Sequence, residues 1–167
     1  MSRIIPFPSR LSASQTAACV GSLFALELMC PSREIYLNLG VLGNALILRN
    51  DLDQFSALFP GQDISQLTLA TALSLLAERG AEVHLAYSAD RSIEEEFLYL
   101  LSPRVLLRRA SQVHHCGIFT ERFCLHGSLS FASFGVDIMS DRLEVSIEAS
   151  EVSRALLAAR QYWEDLR

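Results

Sequence analysis

The stretch LLAERGAEVHLAY, residues 75–87, decides the fold of this sequence. Apolar residues recur at helical spacing over residues 64–79, and Gly80 follows at the position that closes a helix in the left-handed conformation. Residues 82–87 (EVHLAY) then have the composition of a strand. A helix, a glycine and a strand in this order form half of a β-α-β unit. We therefore predict an α/β fold, with a mixed β-sheet flanked by helices.

The other predicted elements surround this unit in chain order. Further helices are predicted over about 12–30, over 91–101 and from about 150 onward, the last with one apolar face formed by Val152, Leu156, Ala159 and Trp163. Strands are predicted over 34–39, 104–108 and 143–149, with a hairpin near 112–119 and 122–127. Residues 44–49 either form another strand or continue irregularly. We divide the chain into an N-terminal arm and helix, residues 1–33, and an α/β domain, residues 34–167.

Length and composition indicate one globular domain. The chain has 167 residues, of which 50% are hydrophobic and 20% charged, so it can bury a substantial core. The net charge of −5 argues against a broad nucleic-acid-binding surface. A local basic site stays compatible with it, because electrostatic steering depends on how the charge is distributed.

The cysteines indicate a reducing compartment. Cys19, Cys30, Cys116 and Cys124 form no CxxC pair and no dense framework, which is typical of reduced cytosolic thiols. The apolar run over 17–30 is too short to span a bilayer and is interrupted by Glu27. We expect a soluble cytoplasmic protein with no membrane partner.

The stretch VHHCGIFTERFCLHGS, residues 113–128, holds three of the four histidines and two of the four cysteines, which raises the question of a metal site. A two-residue turn at 120–121 would pair Gly117 with Cys124 and His115 with His126. The metal question then depends on which face of the sheet each side chain occupies.

In that register the candidate ligands are divided between the two faces. His115, Cys124 and His126 would share one face, and His114 and Cys116 the other. A structural zinc needs four thiolate or imidazole ligands in recurrent spacings, so a closed site would need a ligand from elsewhere. We favour packing over metal binding and predict no metal site. An interaction domain with a zinc-stabilised hairpin stays as an alternative.

The same stretch carries a second pattern. His114, Cys116, Glu121, the pair Gly127-Ser128 and Ser130 resemble, in order and spacing, the signature of the phospholipase D superfamily: HxK, four residues, D, a short gap and GSxN. The order of strands and helices over 34–167 is also similar to that family, so the resemblance implies a phospholipase D-like domain there. It is closest to small single-motif bacterial members, including those encoded in DNA-modification and phage-defence loci.

The resemblance implies a chemistry. In that family the motif histidine attacks phosphorus and forms a phosphohistidine, a second motif's histidine protonates the leaving oxygen, and no metal or other cofactor is required. His114 falls on the nucleophile, Glu121 on the motif aspartate and Ser128 on a phosphate-binding serine. Cys116 and Ser130 stand where the phosphate-binding lysine and asparagine belong. With one motif per chain, the second histidine implies a homodimer.

Four arginines are candidates for binding a nucleic-acid backbone. Arg104, Arg108 and Arg109 precede the motif and either line a phosphate-binding groove or form a solvated strand edge. Arg108, Arg109 or Arg122 would be the substitute for the missing lysine cation.

Two functional hypotheses of different classes follow from the resemblance. The first is a homodimeric, metal-independent phosphodiesterase or nuclease that acts on nucleic acid in a bacterial defence or DNA-modification system, with catalysis impaired by the loss of the lysine. The second is an inactive phospholipase D-like scaffold that binds DNA, dimerises or joins other defence subunits. Phosphodiester cleavage in the presence of a chelator distinguishes them.

Overall fold

The computed structural model describes residues 13–88, 95–127, 130–131, 138–139 and 143–166. In those ranges the chain forms four α-helices, a short 3₁₀ helix over Ser56–Leu58 and ten strands. The helices are α1 (Ala13–Met29), α2 (Leu69–Glu78), α3 (Glu95–Leu100) and α4 (Ala149–Asp165). The strands are β1 (Glu34–Leu39), β2 (Leu46–Arg49), β3 (Gln66–Thr68), β4 (Glu82–Ser88), β5 (Leu106–Ala110), β6 (Gly117–Phe119), β7 (Cys124–Gly127), β8 (Ser130–Phe131), β9 (Ile138–Met139) and β10 (Leu143–Ser146).

Six strands form the central sheet in the order β10-β7-β6-β1-β4-β5. The strands β1, β4 and β5 are parallel, whereas β6, β7 and β10 pair antiparallel with their neighbours. Parallel neighbours require crossover connections, and α2 lies on the connection from β1 to β4, as α3 does on that from β4 to β5. The predicted α/β class with a mixed, helix-flanked sheet is confirmed.

The helix–glycine–strand unit forms as predicted. Gly80 has a φ of +96°, and its N–H donates to the Ala77 carbonyl at 3.2 Å. The N–H of Ala81 donates to the Leu76 carbonyl at 3.1 Å. In this Schellman arrangement a left-handed residue satisfies the last carbonyls of the helix, and glycine adopts that conformation at the least cost. The turn delivers the chain directly into β4.

Helices α1 and α2 cover one face of the sheet. Ile35, Leu37 and Leu39 of β1 point to that face and are almost completely buried. They share one core with side chains from both helices, among them Val20, Phe24, Leu28, Leu69, Leu73 and Leu76. Each such side chain stabilises the fold by about 1.5–3 kcal/mol on burial. Because this cluster holds most of the buried apolar side chains, it is the principal core. The helix of the segment 1–33 therefore packs in the same core as β1.

Helix α4 covers the opposite face. Tyr36, Phe119 and Cys124 point to it from β1, β6 and β7. The helix contributes Val152, Ala159 and Trp163 to the cluster, with Leu156 partly buried against it. The apolar face predicted for the last helix is confirmed by these contacts.

Several boundaries differ from the predicted ones. The helix predicted over 64–79 begins at Leu69, because β3 pairs antiparallel with β2. The strand predicted over 104–108 lies at Leu106–Ala110, in register with β4, and the one predicted over 143–149 ends at Ser146. Residues 44–49 form a strand from Leu46 onward. Pairing with distant partners, which local propensity does not encode, sets these limits.

The predicted helix over 91–101 lies partly outside the described residues, and α3 is its described part. Among the described helices, none combines the length and the hydropathy needed to cross a membrane.

Candidate functional site

The histidine-rich loop lies at the end of the central sheet where the parallel strands finish, which we call the carboxyl edge. The parallel strands β1, β4 and β5 end at this edge, β6 begins there, and β7 returns to it. Residues 111–116 connect β5 to β6 and carry His114, His115 and Cys116. The pairing of Gly117 with His126 brings a third histidine to the same edge. The carboxyl ends of parallel strands are where open α/β sheets usually place their sites.

The hairpin register differs from the predicted one. Phe119 pairs with Cys124 and Gly117 with His126, so residues 120–123 form a four-residue turn. The predicted two-residue turn, with Gly117 opposite Cys124, was therefore wrong.

Thr120 explains the longer turn. Its N–H donates to the Phe123 carbonyl at 3.0 Å, and its hydroxyl accepts the N–H groups of Arg122 at 3.1 Å and Phe123 at 3.2 Å. A threonine that satisfies turn amides in this way stabilises a turn type that strand pattern alone does not specify.

The predicted pairing of His115 with His126 was also wrong. His115 precedes β6 and has a φ of +54°, so the alternation along the strand does not extend to the loop. Cys124 and His126, two residues apart in β7, do share a face. They lie on the α4 side with Phe119, whose ring centroid is 5.1 Å from that of His126.

The described residues offer no set of ligands for the zinc site that was considered as an alternative. No group of three or more His, Cys, Asp or Glu side chains within them is arranged to hold a metal ion. Cys124 is 2% exposed and belongs to the cluster under α4, where burial raises the pKa of its thiol.

His114 is exposed, and its backbone is held by α4. The N–H of His114 donates to the Tyr162 hydroxyl oxygen at 3.4 Å, and that hydroxyl donates to the Gln112 carbonyl at 3.2 Å. One side chain thus contacts the loop on both sides of Val113.

Asn38 holds the next residue from the sheet. Its side-chain amide donates to the His115 carbonyl at 3.3 Å, and Asn38 is only 1% exposed. A left-handed conformation is uncommon for histidine, so the surrounding contacts have to maintain it. Neither Tyr162 nor Asn38 belongs to the motif, so the motif alone does not identify them. The available signal for Asn38 was a polar residue inside the apolar strand EIYLNL.

Gly117 lets β6 lie close to β7. A Cβ built on Gly117 would be 2.2 Å from the Leu125 carbonyl oxygen, closer than such atoms approach. Glycine is therefore required at position 117 for steric reasons, because any side chain there would push β6 and β7 apart at the end of the hairpin that carries the loop.

His126 occupies a mixed electrostatic environment. Burial lowers the pKa of His126, Glu144 raises it from across the β7–β10 pair, and His115 lowers it. A neutral imidazole is therefore favoured at this position, which makes it a proton acceptor rather than a fixed cation.

Cys116, which the resemblance aligns with the motif lysine, lies beside Gly40, the residue that follows β1. Its sulfur lies 3.9 Å from the Val113 carbonyl oxygen and 4.0 Å from the ideal Cβ position of Gly40. All 14 basic residues of the chain are arginines, and it contains no lysine. The side chains of the chain that carry a permanent positive charge are therefore all arginines.

Glu121 lies at the opposite end of β6 from His114, in the hairpin turn. Its carboxylate accepts the N–H of Arg33 at 2.9 Å, and its own N–H donates to the Ser32 hydroxyl at 3.2 Å. These contacts join the turn to the connection between α1 and β1. The structure does not bring Glu121 and His114 together.

Arg122 lies in the same turn, away from the histidine loop. Its guanidinium donates to the carbonyl of Cys30 at 2.9 Å and contacts the Cys30 sulfur at 2.8 Å. It also lies 3.9 Å from Glu27, a carboxylate that is 2% exposed and accepts two hydrogen bonds from Ser32. Arg122 therefore anchors the turn to the end of α1.

The other three arginines differ in what they contact. Arg108 donates to the carbonyls of Trp163 and Leu166, and its guanidinium carbon lies 4.7 Å from the centroid of the Trp163 ring. Arg104 is exposed but precedes β5, at the end of the strand away from the loop. Arg109 is exposed near the carboxyl end of β5, at the loop edge. Because side chains alternate along a strand, the Arg109 side chain leaves β5 on the face opposite to that of Arg108 and α4.

The serines of the motif are only partly described. Ser128 lies outside the described residues. Ser130 begins β8 and pairs with Met139 through its backbone, and its side chain lies outside the described part of the chain.

Comparisons with known proteins identify the fold. No protein-family profile and no curated protein sequence matches the chain. Among solved structures, it is similar to NucT from Helicobacter pylori, with a TM-score of 0.59, 10% identity and coverage of 99% of this chain and 97% of that one. It is also similar to Nuc from Salmonella typhimurium, described as a phospholipase D family member, with a TM-score of 0.54, 13% identity and coverage of 87% and 88%. Polyphosphate kinase from Porphyromonas gingivalis matches with a TM-score of 0.60 and 14% identity over the whole chain, which corresponds to 26% of the kinase.

Proposed function

Starting from the fold of the phospholipase D superfamily, which these likenesses establish for the chain, we propose that it is a metal-independent phosphodiesterase acting through His114. The observation that carries the proposal is the placement of His114. It is exposed on a loop at the carboxyl edge of the parallel strands, and its backbone is held from α4. A nucleophile needs this combination of accessibility and fixed position.

The proposed reaction has two steps. A ring nitrogen of His114 attacks phosphorus, the bond to the leaving oxygen breaks, and that oxygen takes a proton from the same histidine of a second copy. Water then attacks the phosphohistidine, gives its proton to that second histidine and releases His114. One copy would supply the nucleophilic histidine and the other copy the acidic one, which is why the proposed active form is a homodimer.

The charge on the phosphate oxygens sets the expected rate. Cys116 supplies no cation, and losing one such donor costs about 3 kcal/mol of transition-state stabilisation. Arg109 is the proposed substitute, because it is exposed at the edge where the loop begins. We expect slow turnover rather than none.

Nucleic acid is the proposed substrate class. The proposed setting is a bacterial defence or DNA-modification system, in which the homodimer would join other subunits of that system. The motif's resemblance to members from such loci supports both. With a net charge of −5, binding would depend on local arginines such as Arg109 rather than on a broad basic surface.

The test is cleavage of labelled single- and double-stranded oligonucleotides by purified protein in excess chelator. His114→Asn should abolish cleavage. His115→Asn is the matched control, because asparagine tolerates the left-handed conformation of that position, and it should retain most of the activity. Equal cleavage by wild type and His114→Asn would remove His114 as the nucleophile.

A second candidate function, an inactive scaffold that binds DNA or dimerises, is favoured by one observation. The resemblance puts the thiol of Cys116, which lies beside Gly40, at the position of the motif lysine, in a chain without lysine. It predicts no turnover by the purified protein, together with retained dimerisation or oligonucleotide binding in both wild type and His114→Asn.

A further inference from the structure

The loop that carries His114 is held by a side chain outside the motif. Tyr162 accepts the His114 N–H at 3.4 Å and donates to the Gln112 carbonyl at 3.2 Å. His114 and Gln112 precede Tyr162 by 48 and 50 positions in the sequence, so these contacts exist only in the folded chain. One hydroxyl fixes the backbone on either side of Val113 and so limits where the His114 ring can point.

The part of α4 that presents Tyr162 is itself anchored to the sheet. Arg160 donates to the Glu34 carboxylate through Nε at 3.1 Å and through Nη2 at 2.9 Å and 3.1 Å. Trp163 packs in the cluster between α4 and the sheet, and its carbonyl accepts from Arg108. Tyr162 lies between these two anchors, so its hydroxyl is a fixed point relative to β1 and β5.

The far side of the loop has its own fixed point. Asn38, buried in β1, donates to the His115 carbonyl, and His115 has the left-handed φ of +54°. His114 therefore lies between two contacts, from α4 before it and from β1 after it. Two independent holds around one exposed residue are typical of a preorganised site.

We propose that Tyr162 is a positioning residue for His114, which fixes the loop backbone so that the imidazole is aligned for in-line attack. This inference rests on the proposed function for the in-line attack and its kinetic consequence, but not for the hold of Tyr162 on the loop backbone. A misplacement of 1 Å costs on the order of 10²-fold in rate. Since Asn38 still holds the loop in a Tyr162→Phe variant, we expect kcat to fall by about tenfold, with KM unchanged.

The experiment compares Tyr162→Phe with Tyr99→Phe. Each change removes one phenolic oxygen, but Tyr99 is 88% exposed on α3. The kinetic measurement is kcat and KM for oligonucleotide cleavage. The second measurement is NMR of histidine-labelled protein, with the His114 signals assigned by their loss in His114→Asn.

In Tyr162→Phe the His114 backbone and ring signals should shift and the His114 amide should exchange faster, while those of His84 stay in place. Tyr99→Phe should change none of them. Unchanged His114 signals in Tyr162→Phe would overturn the proposal, as would a wild-type kcat in an active protein. If wild type shows no turnover, the proposed function fails, and the NMR comparison alone decides the role of Tyr162.

Discussion

His84 lies face to face with Tyr36 under helix α4. The two ring centroids are 4.4 Å apart with an interplanar angle of 8°, and Trp163 meets the imidazole edge-on at 4.8 Å. His84 is 7% exposed, and neither of its ring nitrogens has a hydrogen-bond partner among the described residues. The nearest carboxylate oxygen, of Glu82, is 3.7 Å from Nε2, beyond hydrogen-bond length. A buried imidazole, stacked on Tyr36, thus lies between the sheet and helix α4.

The burial of His84 predicts a pH-dependent stability. Burial lowers the pKa of His84, Glu82 and Glu34 raise it, and Arg108 lowers it. The folded pKa is therefore below the unfolded value of about 6.5, so the unfolded chain binds the proton first. The contribution of neutral His84 to the free energy of unfolding is fully present above about pH 6.5. It is lost as the pH falls from there through the pKa of His84 in the folded protein.

The matched variant is His84→Phe, which keeps an aromatic ring between Tyr36 and Trp163 and cannot be protonated. Urea unfolding at pH 7.5 and 5.5 should show a smaller loss of unfolding free energy on acidification in the variant than in wild type. The same loss in both proteins would exclude His84 as the source.

The close approach of β6 and β7 predicts a large effect of one methyl group. Gly117→Ala should lower the free energy of unfolding by about 3 kcal/mol, because its Cβ would overlap the Leu125 carbonyl. Gly40→Ala is the control, since the nearest atom to its Cβ would be the Cys116 sulfur at 4.0 Å, and it should change stability by about 0.5 kcal/mol at most. Urea denaturation measures both. Equal effects would mean that β6 and β7 are not so closely packed.

Two arginines should separate stability from nucleic-acid binding. Arg122→Met removes the contacts to Cys30 and to buried Glu27, and should cost about 1–2 kcal/mol of stability, since Arg122 is partly exposed. It should leave oligonucleotide affinity unchanged. Arg109→Met should weaken binding and reduce the slope of log affinity against log salt by about 1, with stability unchanged. The reverse pattern would place the phosphate contact at the hairpin turn.

Restoring the cation at the motif position should raise the rate. In Cys116→Lys we expect chelator-resistant cleavage to increase by about 10²-fold, because an ammonium group would stabilise the charge that develops on phosphate oxygens. Cys116→Met is the control for added side-chain length without charge, and thermal unfolding shows whether the fold accepts either change. An equal rate in both variants would show that the missing lysine does not limit the reaction.

The sequence predicted those parts of the fold that have a local cause. The turn at Gly80, the parallel strands around it and the apolar face of α4 depend on spacing and on one left-handed glycine. The strand β3 and the hairpin register depend on distant pairing and on the hydroxyl of Thr120, which hydrophobic pattern does not specify.

For the site, the resemblance singled out His114, but the residues that hold it were not predictable from the motif. Tyr162 and Asn38 reach the loop from α4 and β1, at separations of 48 and 77 residues for their contacts with His114 and His115. In the same way, Arg122 and Arg108 are basic residues near the motif in sequence whose guanidinium groups contact α1 and α4. Proximity along the chain does not show which cations are available to a ligand.

The most direct measurement is covalent trapping of the reaction intermediate. The protein is incubated with a labelled phosphodiester in excess chelator, quenched, and mapped by peptide mass spectrometry. We predict a phosphoryl adduct on His114 that is absent from His114→Asn and more abundant in Cys116→Lys. Turnover without an adduct on His114, or an adduct on another residue that persists in His114→Asn, would contradict His114 as the nucleophile.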